Sequence, residues 1–240
     1  MKNHTDFILS PITEILNNAV TASAGIGSGI ETYPLYDYIM QSIFLKMTGY
    51  QEQKMKCIWW EMATNDYDYR YSEMRSNKLG ECSKYEEKNK IYKDLTNQII
   101  KHCDNFEITI LEKNNILNET ILNIEETFTN TNFSIWAQDN FNEFFKNNII
   151  KVEHFIVKTK SEINLFIDPL NKIYTALYNH RNICAHNTKS YQQNLPTLKT
   201  LTSENYRYEN YFIWFALLIL IDKIFILLFN KYLEVYENSI

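Results

Sequence analysis

Within ten residues, Tyr178 to Asn187 (YNHRNICAHN), lie one arginine and two histidines of a chain that has only four arginines and five histidines among 240 residues. A histidine of ordinary pKa, about 6.5, exchanges protons near neutrality and can serve as general base or acid. A guanidinium grips two phosphate oxygens at once and favours the charge of a phosphorane-like transition state. Arg181 and His186 therefore offer a cation and a proton-transfer group of the kinds that phosphate chemistry uses. Asn182 can hold the imidazole or a phosphate oxygen.

These residues need an element to position them. Asp168-Pro169 is a helix start, with an N-cap residue and proline at the first helical position. On that helix Leu170, Ile173, Tyr174, Leu177, Arg181 and Cys184 fall on one face. Arg181 thus continues an apolar stripe, where an unpaired guanidinium is costly. It reads either as a site residue or as half of an ion pair with a bundle carboxylate. Asn182 and His186 are one turn apart on an adjacent face. Arg181 and His186 are about 140° apart on an ideal helix. They converge only if the helix end is distorted or if two subunits meet.

The rest of the chain reads as helix. Ser10-Pro11 predicts a short helix, and TASAGIGSGIETYP, with three of the five glycines, reads as a linker. Residues 1–33 are accordingly expected to form an N-terminal helix and linker ahead of a bundle over 34–240. GIGSG has no preceding strand and no following GK[ST], so it does not read as a phosphate loop. Helical periodicity runs from Tyr36 to Met47, with a break or kink expected at Thr48-Gly49 and a second helix after it. Residues 65–90 read as a polar, mobile connection with some helix. Periodicity returns at 91–103, 106–126 and 134–165, and no alternating β-branched run is long enough to demand a sheet. The expectation is an all-α helical bundle with a long apolar C-terminal helix.

That last helix invites a membrane reading. Tyr211–Phe229 is 19 residues with 14 Leu, Ile and Phe, about a bilayer span. Those residues favour insertion by roughly 4–8 kcal/mol, and Asp222 with Lys223 costs roughly 5–7 kcal/mol. Glu209, Ala216, Lys223, Asn230 and Glu237 recur every seven residues, as on a bundle helix with one wet edge. A buried core helix is the expectation, and no span is favoured. The net charge of −5 gives no whole-molecule attraction to nucleic acid. It is uneven, −7 over 1–150 (14 basic, 21 acidic) and +2 over 151–240 (10 basic, 8 acidic), which points to the C-terminal part for any polyanion. The four cysteines show no metal-ligand spacing, and the start of the chain has no signal-peptide pattern. Reduced thiols in a cytoplasmic protein needing no metal or cofactor are expected.

HRNICAHN also resembles the signature of the HEPN superfamily of small α-helical proteins: Arg, commonly a polar residue, then His after four to six intervening residues. Here four intervene (Asn182, Ile183, Cys184, Ala185), and Asn follows Arg. The resemblance covers about 150–240. It implies a HEPN-like bundle and a metal-independent endoribonuclease with Arg181, Asn182 and His186 as catalytic residues. It further implies a homodimer with a composite site, a toxin–antitoxin or abortive-infection (antiphage) setting, and an antitoxin or defence-system protein as partner. A non-catalytic module binding a nucleotide or partner protein is the alternative. His180, Lys54 and Arg70 are further candidates for holding substrate. Lys54 belongs to the polar cluster Glu52, Gln53, Lys54, Lys56, which reads also as a solvated helix face. Arg70 lies among Tyr67, Tyr69 and Tyr71, whose rings can stack on bases or pack in the core.

Overall fold

The computed structural model of the protein describes residues 2–27, 29–76, 82–104, 106–158, 163–186 and 210–237. Its helices are α1 (Lys2–Leu9), α2 (Thr13–Ala22), α3 (Tyr33–Asn65), α4 (Tyr67–Ser76), α5 (Tyr85–His102) and α6 (Ile110–Phe128). After them come α7 (Asn132–Trp136), α8 (Gln138–Lys146), a two-stranded hairpin of β1 (Phe155–Lys158) and β2 (Ile163–Phe166), then α9 (Leu170–His186) and α10 (Tyr211–Glu237). The molecule is an all-α bundle with one small hairpin, as the periodicity predicts.

The last helix is the axis of that bundle. Every residue from Phe212 to Asp222 is buried, because α3, α5, α6, α1, α8 and α9 all pack around it. A helix apolar on all sides needs such a surround. Among the described residues it is the one helix long and apolar enough to cross a membrane, and 83% of its most apolar window is buried in the protein. Along the expected wet stripe Lys223, Asn230 and Glu237 reach the surface, but Ala216 is fully buried, and Glu209 lies outside the described residues.

Asp222 settles how such a helix accommodates charge. Its Oδ1 lies 2.6 Å from Lys54 Nζ, and its Oδ2 accepts the Ile12 backbone N–H at 2.9 Å. Lys54 Nζ also donates to the Ser10 carbonyl. Burial pushes the lysine down and the carboxyl up, and the attraction of the pair opposes both shifts. This node ties the α1–α2 corner to α3 and α10. Ile8, Ile12 and Leu16 are fully buried in the common core, so α1 and α2 are built into the bundle rather than set ahead of it.

Other local signals resolve differently. The break that Thr48-Gly49 suggested does not occur: α3 is continuous for 33 residues. The 65–90 connection contains α4, and α5 begins inside it. The α6 start is a reciprocal capping box, with Glu112 N–H donating to Thr109 Oγ1 at 3.2 Å and Thr109 N–H to Glu112 Oε2 at 2.8 Å. The hairpin falls where a helix was expected, and α5 secures it. Tyr85 Oη donates to Phe166 O (2.8 Å) and accepts from Phe166 N–H (3.1 Å), while Asn89 Oδ1 accepts the Leu165 N–H (2.8 Å). Across from Leu165, Ile156 is left-handed at φ 52°, and its carbonyl accepts from Lys113 Nζ at 2.6 Å.

Candidate functional site

The α9 stripe buries Leu170, Ile173, Tyr174 and Leu177, and Arg181 follows one turn later, 22% exposed. Its Nη1 donates to Asn182 Oδ1 at 3.1 Å. Its Nη2 lies 3.5 Å from Glu52 Oε2 on α3, long for a hydrogen bond of full strength. The other Glu52 oxygen takes Lys56 Nζ at 2.8 Å. Beside the guanidinium is a recess of about 10 Å³ with a mixed lining, Gln51, Ser83, Lys88 and Arg181 together with Leu177 and Leu218, about the size of one water. Gln51 Oε1 and Ser83 Oγ are buried on it without a protein partner.

Lys88 is the surprise of the site. It is 1% exposed, its Nζ donates to the Cys82 carbonyl at 2.9 Å, and it sits 5.9 Å from the centre of the Tyr174 ring. Burial lowers its pKa to about 8, opposed by Cys82 and Glu52 and reinforced by Arg181. Arg181 and Lys56 thus pair with the one carboxylate of Glu52, and buried Lys88 lies close enough to feel both Arg181 and Glu52. Such an arrangement holds a standing positive potential toward anything that reaches Arg181.

Of the sequence-predicted residues, Arg181 and Asn182 are brought together. His186 is the last residue of α9; its side chain and residues 187–209 lie outside the described residues. The helix is unbroken from 170 to 186, so positions 181 and 186 stay about 140° apart around it. Distortion of the helix end does not make them meet.

Two candidates are corrected. Lys54, 1% exposed and spent on Asp222, is out of reach of a substrate. His180 is part of the core: its ring lies 4.6 Å from Trp214 and 5.5 Å from Phe44, and Nε2 is 2.8 Å from Tyr211 Oη. Burial lowers its pKa to about 4, which leaves it neutral at physiological pH. Arg70 is exposed on α4 and takes no part in this cluster. Glu52, named only as part of a polar cluster, faces the arginine. Lys88 was missed, although it has a sequence signal. Ile91, Tyr92, Leu95 and Ile99 form the buried stripe of α5, and Lys88 extends that stripe one turn backward, as Arg181 extends that of α9.

Among the described residues no three His, Cys, Asp or Glu side chains gather as metal ligands would. No protein-family model, curated protein or solved structure matches the chain.

Proposed function

We propose that the protein is a metal-independent endoribonuclease centred on Arg181, Asn182 and His186. The observation that carries the reading is Arg181 itself. It continues an apolar stripe, yet its head reaches a partly exposed position, oriented by Asn182 and held only loosely by Glu52. A phosphate oxygen can replace that long carboxylate contact, and Lys88 behind it keeps the wall positive. In this mechanism His186 takes the 2′-OH proton, the 2′-oxygen attacks phosphorus, and the 5′-oxygen leaves with a proton. The products are a 2′,3′-cyclic phosphate and a 5′-OH. Because α9 is continuous, a composite site across a two-fold contact is the arrangement that joins Arg181 of one copy to His186 of another. The resemblance of HRNICAHN to HEPN proteins adds the setting: a cytoplasmic toxin or antiphage effector with an antitoxin or defence-system partner.

A second reading, a non-catalytic HEPN-like module binding a nucleotide or partner protein, draws on the same contact, since Arg181 already has a carboxylate partner. RNA incubated in EDTA with wild type, Arg181→Ala and His186→Ala separates the two. Cyclic-phosphate ends are expected from wild type alone. Equal cleavage by all three proteins would sink the assignment, and folded protein that binds RNA or nucleotide without turnover would favour the module.

A further inference from the structure

Helix α4 has two sides with different occupations. Its inner side is anchored: Tyr69 Oη donates to Asp94 on α5 at 2.8 Å, and Glu73 Oε2 accepts from Trp59 Nε1 at 3.2 Å and pairs with Lys90. At its start, Asp66 Oδ1 accepts the Tyr69 N–H at 2.9 Å. Its outer side carries Tyr67, 66% exposed, and Tyr71, 47% exposed. Their rings are nearly parallel, 10° between planes and 6.2 Å between centres. Arg75 lies 4.4 Å from the Tyr71 ring and Arg70 lies 5.3 Å from the Tyr67 ring. Neither guanidinium has a carboxylate partner among the described residues, and half of the chain's four arginines are on this one face.

We propose that this Arg–Tyr–Tyr–Arg ladder is a docking platform for single-stranded RNA, with Tyr67 and Tyr71 stacking on bases and Arg70 and Arg75 meeting phosphates. Stacked bases are about 3.4 Å apart, so two parallel rings about 6.8 Å apart enclose one base. A base enters the ladder by separating the two rings, or by displacing a guanidinium from the outer face of Tyr67 or Tyr71, which frees that guanidinium to meet a phosphate. Aromatic rings with arginine beside them form the general sequence-tolerant reader of single strands. The charge fits as well. Asp66 pairs with Lys101, and Glu73 and Asp94 share Lys90, so with Asp68 the four local carboxylates are balanced by Lys90, Lys101, Arg70 and Arg75, and both arginines are exposed, in a chain of net −5. A polyanion can therefore be met in the acidic N-terminal part, against the expectation from the charge totals.

Helix α3 connects the platform to the site, since Glu52 and Asn65 are 13 residues apart on it, about 20 Å. A strand held at α4 would extend a few nucleotides toward Arg181. That last step rests on the nuclease reading; the platform itself does not. The competing explanation is that ring and cation pairs at i,i+4 merely stabilise a ten-residue helix. It predicts a loss of α4 order, not of RNA affinity.

The test is fluorescence anisotropy with a 2′-O-methyl single-stranded oligonucleotide, which lacks the attacking hydroxyl. Wild type is expected to bind. Tyr67→Ala/Tyr71→Ala should weaken binding about tenfold or more, and Tyr67→Phe/Tyr71→Phe, which keeps both rings, should restore it. Arg70→Gln/Arg75→Gln should flatten the log–log salt dependence by about 0.7 for each phosphate no longer neutralised. Affinity unchanged in the alanine variant, no binding by wild type, or equal binding of a duplex overturns the platform. Cleavage of ordinary RNA with affinity unchanged in the alanine variant also overturns it and leaves the nuclease reading standing. Binding that depends on the tyrosines, without cleavage of ordinary RNA, does the reverse. Tyrosine-dependent capture of a protein in place of RNA also overturns it.

Discussion

Three buried or half-buried basic residues, Lys54, Lys88 and Arg181, continue apolar stripes, and each resolves its burial in a different way. Lys54 has a full partner in Asp222, so removing either one strands a buried charge. Asp222→Asn or Lys54→Met should cost about 3–5 kcal/mol in urea unfolding, and Lys54→Met/Asp222→Leu should recover most of it. An additive double variant would mean the pair is not coupled. Lys88 has a backbone carbonyl and, among the described residues, no carboxylate hydrogen bond, which is the poorer arrangement. Lys88→Met should therefore leave stability equal or raised while lowering RNA cleavage. An equal loss of both would assign Lys88 to the scaffold. His180 gives a pH signature. Its folded pKa, about 4, lies below the ordinary 6.5, so the unfolded chain binds the proton more readily between those values. Stability is then complete above about pH 6.5 and falls as pH drops toward 4, by on the order of 3 kcal/mol. His180→Phe should remove that acid limb from a pH series of unfolding midpoints; an unchanged limb would place its origin elsewhere.

At the scale of elements, α5 and α3 organise the site. Helix α5 supplies Lys88 beneath Arg181 and, on the adjoining turns, Tyr85 and Asn89 to the hairpin. The hairpin leads directly into α9, so α5 positions the arginine from both sides. Tyr85→Phe leaves the Phe166 N–H and C=O without their shared hydroxyl, a loss of about 1–3 kcal/mol. Amide exchange at Phe166 and Leu165 should accelerate while the α10 core stays protected. Uniform acceleration would mean that the hairpin unfolds only with the whole. Helix α3 carries Glu52 to Arg181, Lys54 to Asp222 and, past its end, α4 with the exposed rings. It spans this distance because it is unbroken at Gly49.

In the whole molecule, α10 is surrounded by its neighbours and α9 lies at one side with Ile183 half exposed. A continuous α9 leaves positions 181 and 186 of one chain about 140° apart around the helix, which favours a site shared between two copies. Arg181→Ala and His186→Ala, each inactive alone, should therefore complement when refolded together. Half the dimers would be mixed, each with one intact site of two, giving about a quarter of wild-type cleavage on the two-fold geometry. No recovery from demonstrably mixed dimers would refute the shared site.

The sequence by itself determined the helical class, the buried last helix and the α9 stripe that Arg181 continues, because these follow from periodicity; the bond from Arg181 to Asn182 came only with the structure. It also marked Arg181 as anomalous, since it stands where an apolar residue belongs; Lys54 and Lys88 stand in the same kind of position, but Lys54 reads as part of a polar cluster and Lys88 was missed. What satisfies each of them was not legible. Asp222 is 168 residues from Lys54 and Glu52 is 129 from Arg181, and no local rule reaches that far. The hairpin escaped because strands of four residues have too little pattern, and Tyr85 and Asn89 replace the partners a wider sheet would provide. Gly49 signalled a break because the helix cost of glycine is local, about 1 kcal/mol, whereas Met47, Gln51, Lys54 and Met55 around it are held by long-range packing. Tyr67, Tyr69 and Tyr71 looked alike in sequence. Only the direction in which α4 docks on α5 sent the middle one to Asp94 and left the other two exposed.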